Sequence, residues 1–313
     1  MKILITGGCG YVGSELIKVL LLKSRYKIVN FDTQWFGNYL ENNKNLLNIK
    51  KDIRNIPDKF FKDIDIVIHL ANIANDPAVE LNPILSWEVN VLTSMKLINQ
   101  SIKQGVKKFI YASSGSVYGI KKEKKVSEDL ELLPISTYNK TKMISERVLM
   151  SYKEKITINC IRPATVCGLS ARMRFDLTVN LLTLQALKNK KITLFGGDQI
   201  RPNIHIKDMV RVYEFFINKN INSGFYNAGF ENLKIKDIAQ KIKNKVETNV
   251  IKLKSNDLRS YRQDSTKLLN LGFKKKYSVE DAIDEIVNAY NSDKLKDHQN
   301  NYTVQWMKKL KIK

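Results

Sequence analysis

Apolar positions fall into two kinds of block. Short, almost wholly apolar runs occur near residues 2–6, 27–31, 64–69, 107–112 and 156–162. Between them lie longer stretches, 11–23, 86–104 and 138–152, whose apolar residues recur every three or four positions. Runs of the first kind suit strands buried on both faces, and the 3.6-residue period suits helices laid across them. The alternation predicts an α/β fold with a doubly wound parallel sheet. Beyond about residue 166 the pattern loosens, with helical periods at 176–188, from 207, at 236–245 and at 278–289, and a short strand at 191–195. That change predicts a smaller, mainly C-terminal α/β substrate lobe closing over the carboxyl edge of the sheet. The expected division is 1–166 for the sheet domain, with a returning segment near 204–228, and 167–203 with 229–313 for the lobe.

Length and composition agree with this layout. The 313 residues can bury a cofactor-sized cleft, and 43% hydrophobic with 27% charged residues is ordinary for a globular protein. The apolar runs fall short of the roughly 20 residues of a membrane helix. Met1 leads straight into a strand-like run, so neither a signal peptide nor a span is expected. Three cysteines, Cys9, Cys160 and Cys167, are too few for a disulfide framework and fit a reducing cytoplasm. The net charge of +22 is the one unusual figure. The lysines are scattered, and the densest run, Lys121-Lys122-Glu123-Lys124-Lys125, has no interleaved aromatics. The surplus therefore reads as solvated surface, with no nucleic-acid partner.

Candidate chemistry begins at Thr6-Gly7-Gly8-Cys9-Gly10-Tyr11-Val12-Gly13, between the first strand and the first helix. Gly7, Gly10 and Gly13 suit a tight turn, close approach of backbone to a pyrophosphate, and close helix-on-strand packing. The helix then offers phosphates the N–H groups of residues such as Tyr11 and Val12, together with its positive dipole end. Asp32 ends the next strand, 19 residues after Gly13. A carboxylate there binds ribose hydroxyls and repels a 2′-phosphate, so the cofactor expected of this Rossmann-type unit is NAD.

Tyr138 and Lys142 stand four apart at the start of a long helical period and share one face. An ammonium beside a phenol lowers the phenol pKa from near 10 toward a usable base. Upstream, Tyr111-Ala112-Ser113-Ser114-Gly115-Ser116 ends a strand at the sheet edge where ligands bind in such folds.

Taken together, the glycine loop, Asp32, the Ser114 strand end and the Tyr138/Lys142 helix resemble the extended short-chain dehydrogenase/reductases, the NAD-dependent sugar epimerase/dehydratase family. The resemblance covers most of the chain. It implies Ser114, Tyr138 and Lys142 as the catalytic set. For NAD it implies contacts from Asn38, from Asp52 and Ile53 near the adenine, and from Leu70, Ala71 and Asn72 at a strand end. Asn90, Ala112 and Pro163 complete that set. For a nucleotide-diphospho sugar it implies Ser116, Thr165, Arg174 and Asn180, with Arg172 also near the phosphates or sugar. Arg201, in Gly196-Gly197-Asp198-Gln199-Ile200-Arg201-Pro202, and Arg259, with Arg262 as substitute, match diphosphate arginines, whose planar fork pairs with phosphate oxygens. The backbone of Thr193 to Phe195 matches the reader of the base. Thr165 and Cys167 depart from the asparagine and tyrosine of many relatives, which leaves sugar contacts there open. No His, Cys or Asp cluster has metal-ligand spacing, and no metal is expected.

Relatives that eliminate water carry an Asp-Glu pair after the catalytic Ser/Thr, whereas this chain has Gly115 and Ser116. Relatives that epimerise C3 and C5 place a cysteine there, and this chain has none. The resemblance therefore implies redox chemistry at C4. The runs at 75–83, 161–168 and 197–205 are similar to capsular heptose dehydrogenases of surface-polysaccharide synthesis. These oxidise C4 of GDP-D-glycero-α-D-manno-heptose to the 4-keto sugar. A UDP-glucose 4-epimerase-like hexose epimerase and an NAD-sensing binding protein without turnover stay open as alternatives. Family members pair as homodimers through a four-helix bundle, here the segments 86–104 and 138–152, whose apolar faces would serve.

Overall fold

The computed structural model describes residues 1–254 and 260–312. Seven parallel strands form the central sheet, in the order β10-β6-β5-β4-β1-β2-β3. They are β1 Lys2–Thr6, β2 Lys27–Asp32, β3 Leu46–Lys50, β4 Ile66–His69, β5 Lys108–Ala112, β6 Thr157–Pro163 and β10 Gly224–Ala228. Alternate β1 residues explain why both faces are apolar: Ile3 and Ile5 enter one core and Leu4 the other. The first core holds Leu16, Ile17 and Leu20 of helix Tyr11–Leu21, with Tyr213 and Phe216 of helix Ile206–Asn218. The second holds Leu97 and Ile98 of helix Thr93–Lys103 and Leu149 of helix Thr137–Met150. The doubly wound sheet is thus the predicted one.

A third core gathers Leu182, Ile238, Ile242, Ile283 and Ile286. These come from helices Thr178–Asn189, Ile235–Lys243 and Val279–Asn291. Two small sheets accompany it. Strands β7 Thr165–Cys167, β9 Ile200–His205 and β11 Glu231–Lys234 form one, and β8 Lys191–Phe195 with β12 Asn249–Leu253 the other. Among these only β8 stands out in the sequence. β9 carries Pro202 and polar neighbours, and β12 is exposed throughout, so neither shows a strand period.

The predicted helix 86–104 differs in kind. It starts at Pro83 and runs as helix Pro83–Trp87, a π-helical turn Glu88–Leu92, then helix Thr93–Lys103. The wider turn turns the Asn90 carbonyl toward two hydroxyls, Ser94 Oγ at 2.6 Å and Ser145 Oγ at 2.8 Å. Ser145 belongs to helix Thr137–Met150, so the two helices are joined by polar bonds at this level.

A buried ion pair fixes the same helix against the sheet. Arg162 of β6 donates from Nε and Nη2 to Glu146 at 2.9 and 2.8 Å, the side chains being 2% and 1% exposed. Its Nη1 donates to Tyr118 OH at 2.8 Å, which donates to Asn227 of β10 at 2.7 Å. Gln263 donates to the Arg162 carbonyl at 2.7 Å, drawing in the segment that carries Tyr261. Breaking a buried pair leaves one charge uncompensated. Glu146→Ala is expected to lose about 3–5 kcal/mol of unfolding free energy, measured by urea denaturation; a loss under about 1 kcal/mol would show that the pair does not hold the helix.

Candidate active site

Parallel register aligns the carboxyl ends of five strands along one sheet edge. Thr6 of β1 stands level with Phe31 of β2 and His69 of β4, His69 with Tyr111 of β5, and Ala112 with Ile161 of β6. A cleft of about 430 Å³ opens above that edge, between it and residues 164–177.

At one end the glycine loop shapes the cleft. Gly7 has φ +80°, and a Cβ there would come within 2.5 Å of the Ala71 nitrogen. A Cβ on Gly13 would lie 2.3 Å from the Gly7 carbonyl oxygen. Both positions therefore require glycine, and helix Tyr11–Leu21 sits tight on the sheet. Gly10 starts that helix with no side-chain cap, and a Cβ on it would meet only the Gly7 oxygen within 4 Å. The space over the first turn is left clear for an anion. Asp32 lines the wall, accepting from Cys9 N–H at 2.9 Å and Gln34 N–H at 2.7 Å. Burial raises its pKa, and the two backbone donors, with the charge of Arg172, oppose that rise. The donor set fits a dinucleotide: N–H groups for phosphates and a carboxylate for ribose hydroxyls.

At the other end Ser114, Tyr138 and Lys142 meet. Ser114 Oγ lies 2.8 Å from Ser116 Oγ and hydrogen-bonds the Tyr138 hydroxyl, an interaction that lowers the phenol pKa. Ser136 caps helix Thr137–Met150 by accepting from Asn139 N–H and donates to Asp76, so the turn that carries Tyr138 is held from both sides. Lys142 donates to the Ala112 carbonyl. The Asn72 amide, oriented so that both its atoms are satisfied, accepts from Lys142 Nζ at 3.1 Å.

The electrostatics differ from the expectation that Lys142 lowers the phenol. Burial dominates both groups: it pushes Tyr138 up to about 12 and Lys142 down to about 7. Lys142 Nζ stands 5.9 Å from the Tyr138 ring centroid. The cation opposing burial at Tyr138 is Arg174, which also pairs bidentately with Asp176 at 2.9 and 2.8 Å. Beneath the edge, His69 bonds Thr6 and Ser94, and burial with Lys142 nearby lowers it to about 3, so it is neutral.

Of the expected cofactor residues, Gly7, Gly10, Tyr11, Val12, Gly13 and Asp32 line the cleft, as do Asp52, Ile53, Leu70, Ala71, Asn72, Ala112 and Pro163. Ser116, Thr165 and Arg174 line it too. Asn90 lies behind the wall, accepting from Ile73 N–H at 2.9 Å and donating to its carbonyl at 3.2 Å, and so braces the loop after β4. Asn38 is on the outside, bonded to Leu40 N–H and Asn48. Asn180 is buried and ties Gly168 N–H to the Tyr11 hydroxyl. Thr193, Phe195 and Arg201 do not line the cleft; Phe195 is 59% exposed on β8, and Arg201 lies on β9 beside Leu233. Arg259 lies outside the described residues. Sequence reasoning passed over Trp35, Phe36, Tyr261, Thr303 and Met307, which reach the cleft from loops and from helix Thr303–Lys309. No short-range pattern marks them.

Similarity to known proteins agrees with this geometry. The model of the NAD dependent epimerase/dehydratase family matches residues 3–229. The uncharacterized UDP-glucose epimerase YtcB of Bacillus subtilis is 32% identical over 230 residues, 67% of this chain and 71% of that protein. A GDP-6-deoxy-D-talose 4-dehydrogenase of Aggregatibacter actinomycetemcomitans is 27% identical over 280 residues, 87% of this chain and 91% of that protein. The crystal structure of UDP-glucuronic acid 4-epimerase from Bacillus cereus, with UDP-glucuronic acid and NAD, superposes with a TM-score of 0.83 at 30% identity, covering 93% and 99% of the two chains.

The depressed lysine has a measurable signature. Between about pH 7 and 10.5 the unfolded chain holds the Lys142 proton that the folded chain has released, so this group adds stability as pH rises. Nucleotide-free wild type should gain up to about 1.4 kcal/mol per pH unit relative to Lys142→Met between pH 7 and 9, by urea unfolding. A pH-independent difference would mean that the lysine keeps its ordinary affinity.

Proposed function

The chain belongs to the NAD dependent epimerase/dehydratase family, and from that premise we propose that it oxidises C4 of a nucleotide-diphospho sugar. The observation that carries this reading is the meeting of Ser114, Tyr138 and Lys142 in the cleft, with no carboxylate at 115 or 116. Tyr138, as phenolate, takes the proton of the C4 hydroxyl, and Ser114 hydrogen-bonds the same oxygen. Lys142 holds the cofactor ribose. Bound NAD supplies the hydride acceptor. The phenolate of so weakly acidic a phenol accepts the proton readily, while Ser114 and Arg174 lower the cost of forming that anion.

The substrate proposed is GDP-D-glycero-α-D-manno-heptose, giving the 4-keto sugar for surface or capsular polysaccharide. Similarity to a dehydrogenase named for C4 of a GDP-sugar supports this choice. On β8 and β9, beyond the lining of the cleft, Arg201 is proposed, with Arg259, to hold the diphosphate and the backbone at Thr193 and Phe195 the base, while Ser116, Thr165, Arg174 and Asn180 contact or position the sugar end. A homodimer is proposed through the segments 86–104 and 138–152, the first of which leaves Leu92 and Met95 49% and 39% exposed.

One observation favours a second reading, a hexose 4-epimerase that returns the hydride. The C-terminal segment clasps the loop after β2: Trp306 Nε1 donates to the Trp35 carbonyl at 2.6 Å and Asn300 Nδ2 to that of Phe36 at 3.0 Å. A clasp at the cofactor end suits NAD kept in place between two hydride transfers.

Incubation with the GDP-heptose or with UDP-hexoses, at trace and at excess NAD, separates the two by NMR of the sugar and absorbance of NADH. The first reading expects a 4-keto sugar and NADH in equal amounts, at excess NAD alone. A 4-epimer formed at trace NAD with no keto product transfers the assignment to the epimerase. Tyr138→Phe is expected to lower kcat by roughly 10²–10⁴, and an unchanged rate would remove Tyr138 as the base.

A further inference from the structure

Arg172 is a buried cation with no hydrogen-bonded carboxylate among the described residues. It is 3% exposed, lines the cleft, and its Nε has no hydrogen-bond partner among the described residues. Among the described residues its hydrogen bonds are long, 3.4 Å each, from Nη1 to the Met173 carbonyl and from Nη2 to Thr303 Oγ1. Two carboxylates lie near: Asp176 is taken by both arms of Arg174 and by Asn75 Nδ2 at 3.0 Å, and Asp32 accepts from two backbone N–H groups and meets Arg172 only through space. Burial and the like charge of Arg174 push the guanidinium pKa down to about 9. A group held at such cost invites an anion.

The surroundings indicate which end of the cleft that anion occupies. The guanidinium lies 4.1 Å over the Phe36 ring, in the loop that follows Asp32. Its own loop is tied to the first helix: Ser170 Oγ donates to the Tyr11 carbonyl at 2.8 Å, and Ala171 N–H to Glu15 at 3.0 Å. Arg172 therefore sits by the uncapped helix start and Asp32, whereas Arg174 sits by Tyr138.

We propose that Arg172 is a diphosphate clamp for the bound dinucleotide, facing the helix amino terminus from the other side of the cleft. Helix N–H groups and guanidinium would then divide the phosphate charge between them. The proposal rests on NAD binding and not on which sugar is oxidised, so failure of the C4 reading leaves it standing.

The test uses the full chain stripped of nucleotide, with Arg172→Gln and Arg172→Lys. Titration calorimetry with ADP, UDP and GDP is combined with thermal unfolding with and without NAD. For Arg172→Gln the clamp expects ADP and NAD binding weaker by roughly ten- to a hundredfold, with UDP and GDP within about threefold. Arg172→Lys should recover part of the loss. Ligand-free Arg172→Gln should melt at or above wild type, since a lone buried charge is gone, and NAD should raise its melting temperature less. A loss confined to UDP or GDP places the residue on the sugar nucleotide and overturns the proposal. ADP affinity within about threefold of wild type, whatever the melting temperature, overturns it as well.

Discussion

The pairing of Arg162 with Glu146 sets the geometry on which the cleft depends. Glu146 lies four residues beyond Lys142 and eight beyond Tyr138, so the three share one stripe of helix Thr137–Met150. Anchoring Glu146 to β6 fixes the rotation of that helix, and the rotation aims Tyr138 and Lys142 at the sheet edge. Through Tyr118, Asn227 and Gln263 the same network reaches β10 and the segment bearing Tyr261. A charge pair in a dry interior is costly unless its geometry is exact in number and direction of bonds, and here the guanidinium has partners on every nitrogen.

The charged groups of the cleft gather at its two ends. At the catalytic end Arg174 is neutralised by Asp176 yet still acts on Tyr138. Asn75, with a positive φ of 81° that is rare for a residue other than glycine, bridges to Asp176 from the sheet side of the cleft. At the cofactor end Asp32 accepts from two backbone donors and Arg172 acts on it through space alone, so the guanidinium has no hydrogen-bonded carboxylate among the described residues. The two arginines, two residues apart in sequence, feel each other and the field of Asp176, but of the two it is Arg174 that is hydrogen-bonded to it.

How much of this was legible in the sequence follows from the range of the interactions. Strands buried on both faces and a glycine loop between strand and helix are local patterns, so the doubly wound sheet and the phosphate turn were readable. Tyr138 and Lys142 were readable as an i, i+4 pair, but burial is a property of the whole fold, and it reversed the expected effect on the phenol. Asn90 was expected at the cofactor; its amide instead mimics a strand partner for Ile73, which needs the π-helical turn to exist. Strands β7, β9 and β11 pair across long stretches of chain and carry no period of their own. The clasp of Trp306 on Trp35 joins residues 271 apart, beyond any local signal.

The π-helical turn at Glu88–Leu92 also bears on how the chain can change over evolutionary time. Substitution along 83–103 alters single contacts, but length behaves differently. A π turn takes up one residue more than an α turn while leaving the helix that follows facing the same way. One residue can therefore leave this turn with Ser94 and the apolar row at Leu97 and Ile98 still toward their partners, whereas a deletion inside helix Thr93–Lys103 would rotate all that follows it by about 100°. The turn is thus the point along 83–103 where length is free to vary, and what such a change would give up is the paired bonding of the Asn90 carbonyl.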